Sequence, residues 1–234
     1  MNRQAQAMLL FVAGGAVIRA SLTGEYLRYV KAGLRPYLIM TGVILMVTAA
    51  TTIWYEIRKA RAGKKSGHAH REPWIAWLLL LPVLALVVVV PPALGSYAAD
   101  RTGTVLRRPP GFPDLPAGDP VQLSVPDYAT RAVYDHGHSL TNRRVVITGF
   151  ITVAGRDTPV LTRMVLNCCA ADAQPVKVGL SGKVPSGLRP DTWFEVVGTY
   201  TGKQIKDDVN GQPIPFIDVS QARQVATPRF PYES

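Results

Sequence analysis

The sequence predicts two to three transmembrane helices followed by an extracytoplasmic all-β domain. Three observations carry that division. The long apolar runs fall within the first 95 residues of a 234-residue chain. From Arg144 onward, β-branched and aromatic residues recur at strand-like spacing between Gly and Pro punctuation. Positive charge gathers beside the apolar runs: residues 1–95 hold eleven Lys/Arg against three acidic residues, and so eight of the ten net positive charges. The remainder has fifteen basic and thirteen acidic residues, nearly balanced. It lacks a basic-aromatic patch, which argues against nucleic acid as a partner.

Residues 1–94 read as the membrane anchor. Ala5 to Leu22 is apolar apart from Gln6, Arg19 and Ser21, slightly short for the ~20 residues that cross a bilayer. A secretory signal competes for this stretch, but Arg19 sits where a cleavage region is small and neutral. A retained first span is expected, with Arg19 snorkelling to the headgroups. Leu22 to Arg35 is short and amphipathic, and its Tyr26 and Tyr29 suit a membrane interface. Pro36 to Tyr55 carries no charge and is long enough to cross, with Trp54 and Tyr55 expected at the far interface. Arg58, Lys59, Arg61, Lys64, Lys65 and Arg71 then form the strongest positive cluster, which belongs in the cytoplasm. Pro73 to Leu94 crosses back, anchored by Trp74 and Trp77, kinked by Pro82 and ended by Pro91-Pro92. Counting from the basic loop puts the N-terminus inside and residues 95–234 outside.

Residues 95–120 are rich in Gly, Pro and charge and read as a flexible tether. A short helix should start at Ser124, with Pro126 early and Asp127 at the positive end, and stop at Gly137. Five strands follow: Arg144 to Ala154 with a bend at Gly149, Pro159 to Cys168, Pro175 to Leu180, Trp193 to Tyr200 with a mid-strand Gly198, and Ile214 to Val225. Five short strands with glycine bends suggest a small OB-like barrel with one short helix over 121–234. The tail TPRFPYES, with two prolines, is expected to carry no regular structure.

The chemistry centres on Cys168 and Cys169, the only cysteines in the chain. Three readings stay open. A vicinal disulfide would join Cα atoms about 3.8 Å apart, closer than disulfide geometry prefers, and so would act as a switch. A metal site would use both thiolates with Asp172 or histidine, zinc or another thiophilic metal being the cofactor. In the third reading one cysteine is a small hydrophobe in the core. Side chains alternate along a strand, so the two act together only where the strand ends; the small residues from Ala170 to Ala173 mark such an end. His136 and His138 form an H-x-H pair on the same side and could join the cysteines. His68 and His70 lie in the basic loop and read as solvated. Asp207 and Asp208, with Asp218, read as a solvated hairpin tip rather than a cation site. There is no phosphate loop, nucleophile elbow or H-E-x-x-H, so no enzyme is expected.

The stretches VLTRMVLNCCAADAQPVKV, LPVLALVVVVPPALGSYAADRTG, LTGEYLRYVKAGLRPYLIM and the closing RFPY together resemble the bacterial DUF1980 or YcgQ-like family. The resemblance implies a subunit of a two-component permease in the cytoplasmic membrane, paired with a multi-span DUF318/YcgR-like permease. The family's central loop is often richer in histidine; here only His68 and His70 stand among lysines and arginines, which argues against metal collection by that loop. The expectation is therefore an accessory subunit, with Cys168 and Cys169 contacting substrate, metal or partner. The alternative is a membrane-anchored thiol- or metal-handling protein acting alone.

Overall fold

A computed structural model describes residues 3–61, 91–154 and 158–233, together with 78, 81, 84, 85, 88 and 89. The chain divides into two compact units, Met1–Pro92 and Ala93–Ser234.

In the first unit, α1 (Arg3–Thr23) and α2 (Arg35–Arg61) are joined through the 3-10 turns Glu25–Arg28 and Ala32–Leu34. Ala5–Thr23 and Ala32–Lys59 are each long and apolar enough to cross a membrane. Burial runs opposite to that of a soluble helix pair. Ala5, Ala7, Ser21 and Ala49 are buried, whereas Phe11, Met40, Ile44, Val47 and Trp54 are exposed. The helices meet through missing side chains: a Cβ on Gly42 would lie 2.6 Å from Ile18 Cγ1, and one on Gly14 would lie 2.9 Å from the Gly42 carbonyl. Close backbone approach with bulky residues outward is how helices associate in lipid, where apolar side chains gain little by facing one another. Trp54 and Tyr55 are exposed, but Tyr26 is buried and reaches the Ala32 carbonyl. It packs the turn between the helices. More than half of the third span expected at 73–94 lies outside the described residues, and His68, His70, Trp74 and Trp77 lie outside them too.

The second unit is a seven-stranded sheet with the order β1-β2-β5-β6-β4-β3-β7 and a further β2–β3 pairing. The strands are β1 (Val121–Gln122), β2 (Arg144–Ala154), β3 (Thr158–Val165), β4 (Gln174–Gly182), β5 (Trp193–Lys206), β6 (Pro213–Val225) and β7 (Tyr232–Glu233). The five long strands match the five expected from alternation. Pairing runs β2-β5-β6-β4-β3 and returns to β2, giving a partly closed ring in which β4 and β6 are parallel and the other neighbours antiparallel. β2 pairs with β5 over its first half and with β3 over its second, the change falling at Phe150. Gly149 allows it: a Cβ there would lie 2.6 Å from the Thr162 carbonyl. Gly198 marks a bulge in the β5–β6 ladder, again where backbone approaches too closely for a side chain.

A helix, α4 (Val125–Tyr134), packs on β2 to β6. Ser124 Oγ accepts the Asp127 N–H at 3.1 Å, and Gly137 ends the helix in the left-handed conformation. Tyr128 is fully buried, and its hydroxyl donates to the Phe216 carbonyl at 2.8 Å.

Two expectations need correction. Part of 95–120 is folded onto the sheet. A short helix, α3 (Ser96–Arg101), starts against the Asp191 carboxylate, which accepts the Ser96 N–H at 2.6 Å and its hydroxyl at 2.7 Å. Thr104 and Leu106 are buried, and Val105 N–H donates to the Pro175 carbonyl. The tail is not irregular either. β7 adds to the free edge of β3, pairing Met164 with Tyr232 and Val165 with Glu233.

Candidate metal and thiol site

β3 ends at Val165, so the cysteines lie in the β3–β4 connection, not on the strand that was expected to reach Cys168. Release from the pleat removes the alternation that would part them. The 3-10 turn Ala170–Asp172 folds the connection back, and each oxygen of the Asp172 carboxylate accepts one backbone N–H: Asn167 at 3.0 Å and Cys168 at 2.8 Å. Both Sγ atoms and a carboxylate oxygen of Asp172 consequently lie within 4.8 Å of one another. Cys168 is exposed, Cys169 and Asp172 are half-buried, and both thiols are free.

The electrostatics follow from these contacts. The Cys168 thiol is pushed up to about 11, first by its hydrogen bond to the Asp172 carboxylate and then by Cys169. Asp172 is held below the usual carboxylate range by that thiol and by the backbone N–H of Cys168 and its neighbours. At neutral pH the Cys168 sulfur is therefore a protonated donor, not a ready nucleophile. Arg107 stands beside the turn, its Nη1 3.4 Å from Asn167 Oδ1.

His136 and His138 do not join this group, which among the described residues consists of Cys168, Cys169 and Asp172. His136 occupies a left-handed turn after α4, and His138 opens the 3-10 turn His138–Leu140; both are exposed. The sequence reading was also wrong about Asp207. It is buried 2.9 Å from Lys177 Nζ, while Asp208 and Asp218 are exposed. Burial opposes ionisation of Asp207, but the Lys177 hydrogen bond and the N–H groups of Val209 and Thr104 outweigh it and hold the carboxyl low.

A further charged pair was missed: Arg163 is buried in β3, and Glu233 lies in the tail that was expected to be irregular and becomes β7 only by pairing with β3. Arg163 stacks on Trp193, its guanidinium carbon 4.8 Å from the ring centre, and Arg163 Nε lies 3.3 Å from Glu233 Oε1. Burial pushes Glu233 up to about 7, with Arg163 acting in the opposite direction.

Residues 119–233 match the DUF1980 C-terminal domain. The chain belongs to the DUF1980 family. The matched region takes in β1 to β7, α4 and the cysteine turn, so the candidate site is part of the DUF1980 domain itself. No curated protein and no solved structure matches the chain.

Proposed function

We propose that this DUF1980 protein is an accessory subunit of a two-component membrane permease, working by binding and not by catalysis. Its partner is a multi-span permease of the DUF318/YcgR-like type. The observation that carries the reading is the α1–α2 pair, with glycine and alanine between the helices and Phe11, Met40, Ile44 and Val47 outward. Such a surface suits lipid or the flank of another membrane helix. The basic cluster from Arg58 to Arg71 supports a cytoplasmic loop, and with 73–94 read as a span back across the bilayer the β unit is proposed to lie on the extracytoplasmic side of the cytoplasmic membrane. The partly closed ring of its five long strands supports reading that unit as a small OB-like barrel. Cys168 and Cys169 are the contact point offered to whatever the permease carries.

Co-purification from native membranes tests this. A stable, stoichiometric complex with a multi-span permease is expected. A protein that leaves the membrane alone, and exchanges thiols unaided, would instead be the stand-alone thiol- or metal-handling protein.

A further inference from the structure

We infer that Cys168, Cys169 and Asp172 form an open, three-ligand site for a borderline-soft divalent cation of the zinc class. This deepens the permease reading by naming the class of cargo, and rests on that reading for the word cargo alone.

Geometry is the first argument. One donor atom from each residue lies within 4.8 Å of the other two. Around a tetrahedral zinc-class ion, ligand atoms sit roughly 3.5–4 Å apart. Side-chain rotation in a partly exposed turn covers the difference. The second argument is preorganisation. Asp172 is already oriented by the Asn167 and Cys168 N–H groups, one on each oxygen. Each oxygen has a second lone pair, the one held by the Cys168 thiol proton being freed when that proton leaves on metal binding, and such outer hydrogen bonds are what fix a metal-ligating carboxylate.

The donor set then selects the ion. Magnesium and calcium take oxygen alone, and copper(I) favours sulfur. Two thiolates with one carboxylate suit zinc and its close analogues. Binding breaks two S–H bonds, sends two protons to solvent and makes two S–metal bonds, with no change of oxidation state. Two thiolates and a carboxylate around a dication leave one net negative charge, and Arg107 stands beside the turn to face it. Structural zinc sites are closed by four protein ligands, whereas three leave a position for water or an incoming ligand. With Cys168 exposed, that position is accessible. The site is built for hand-over, not for holding the fold together.

The test is titration of the full-length protein in detergent, kept reduced by a phosphine, with cobalt(II) alone. One equivalent should produce thiolate-to-cobalt charge-transfer absorption, and zinc(II) should displace it. Cys168→Ser and Cys169→Ser should each weaken binding by at least about tenfold, while circular dichroism stays unchanged. Because Asp172 also holds the turn, Asp172→Asn is read against Asp172→Glu, which should restore part of the absorption. Zinc should also protect both wild-type thiols from a water-soluble disulfide reagent. Cobalt bound without thiolate bands, or bound equally by both serine variants, overturns the inference and points to the histidines. Thiols that cannot be titrated until reduced, showing a vicinal disulfide in the protein as isolated from membranes, also overturn it. Binding is read on the chain without its permease. Failure to find a permease therefore leaves this result standing, and a permease complex without metal binding defeats this inference alone.

Discussion

Lys177 Nζ lies 2.9 Å from Asp207 Oδ2, and the two side chains are 4% and 2% exposed. The pair is the knot that fastens the segment after α3 to the sheet. Asp207 also accepts the Thr104 and Val209 N–H groups, Thr104 Oγ1 accepts the Lys177 N–H, and Asn210 donates to the Thr104 carbonyl. β4, the β5–β6 hairpin and residue 104 thus share one satisfied polar network.

Replacing one member should be far worse than replacing both. Lys177→Met leaves a buried carboxylate facing only N–H donors, and a loss of about 3–5 kcal/mol is expected. Lys177→Met with Asp207→Leu removes both charges and should recover part of that loss. Urea unfolding of the β unit within the full chain, followed by circular dichroism, measures the difference. A double variant no more stable than the single would show that the ions matter through their other hydrogen bonds.

Tyr128 gives a smaller and cleaner effect. Its hydroxyl is the buried donor to the Phe216 carbonyl, and burial also drives the phenol upward, away from ionisation. Tyr128→Phe preserves the packing of α4 while leaving that carbonyl short of a partner. A loss of about 1–2 kcal/mol is expected in the same unfolding experiment, whereas Tyr128→Ala should cost about 3–5 kcal/mol through the cavity.

What could be read from the sequence was what local residues decide. The α4 helix announces itself through Ser124, Pro126, Asp127 and Gly137, all within one short stretch. The long strands show through their alternation, and Gly149 and Gly198 through their interruption of it. β1 and β7 could not be read, since two residues make a strand only by pairing with β2 and β3. The packing of Thr104 was hidden because its partners are Lys177, Asp207 and Asn210, far along the chain. At the site, Cys168, Cys169 and Asp172 were legible because they are neighbours in sequence. His136 and His138 do follow the helix as expected, but their separation from the cysteines could not be read, because H-x-H spacing says nothing of which distant turn lies beside it.

Glu233 makes the β unit sensitive to pH. Burial raises its carboxyl to about 7 from an ordinary value of 4.5, against the weaker pull of Arg163. The folded unit therefore holds this proton more tightly than the unfolded chain does. The stability it confers is fully present below about pH 4.5 and is lost as pH rises to about 7, on the order of 3 kcal/mol in all. Glu233→Gln should flatten that slope. Parallel stability curves for wild type and variant over this range would rule this role of Glu233 out.

Membrane orientation is the last prediction, and it turns on two exposed positions. Arg61 closes α2 within the basic cluster, and Asp114 lies in the exposed run before β1. Lys and Arg are retained on the cytoplasmic side of short membrane loops, so Arg61 should face the cytoplasm and Asp114 the outside. In a Cys168→Ser, Cys169→Ser background, Asp114→Cys should react with a membrane-impermeant maleimide in intact cells. Arg61→Cys should react only after the membrane is opened. The serine background must first reproduce the wild-type circular dichroism, so that labelling reports topology and not unfolding. The opposite pattern would place the cysteine turn in the cytoplasm. A reducing compartment would then keep the thiols free, and the turn could meet a permeating cation only after it had crossed.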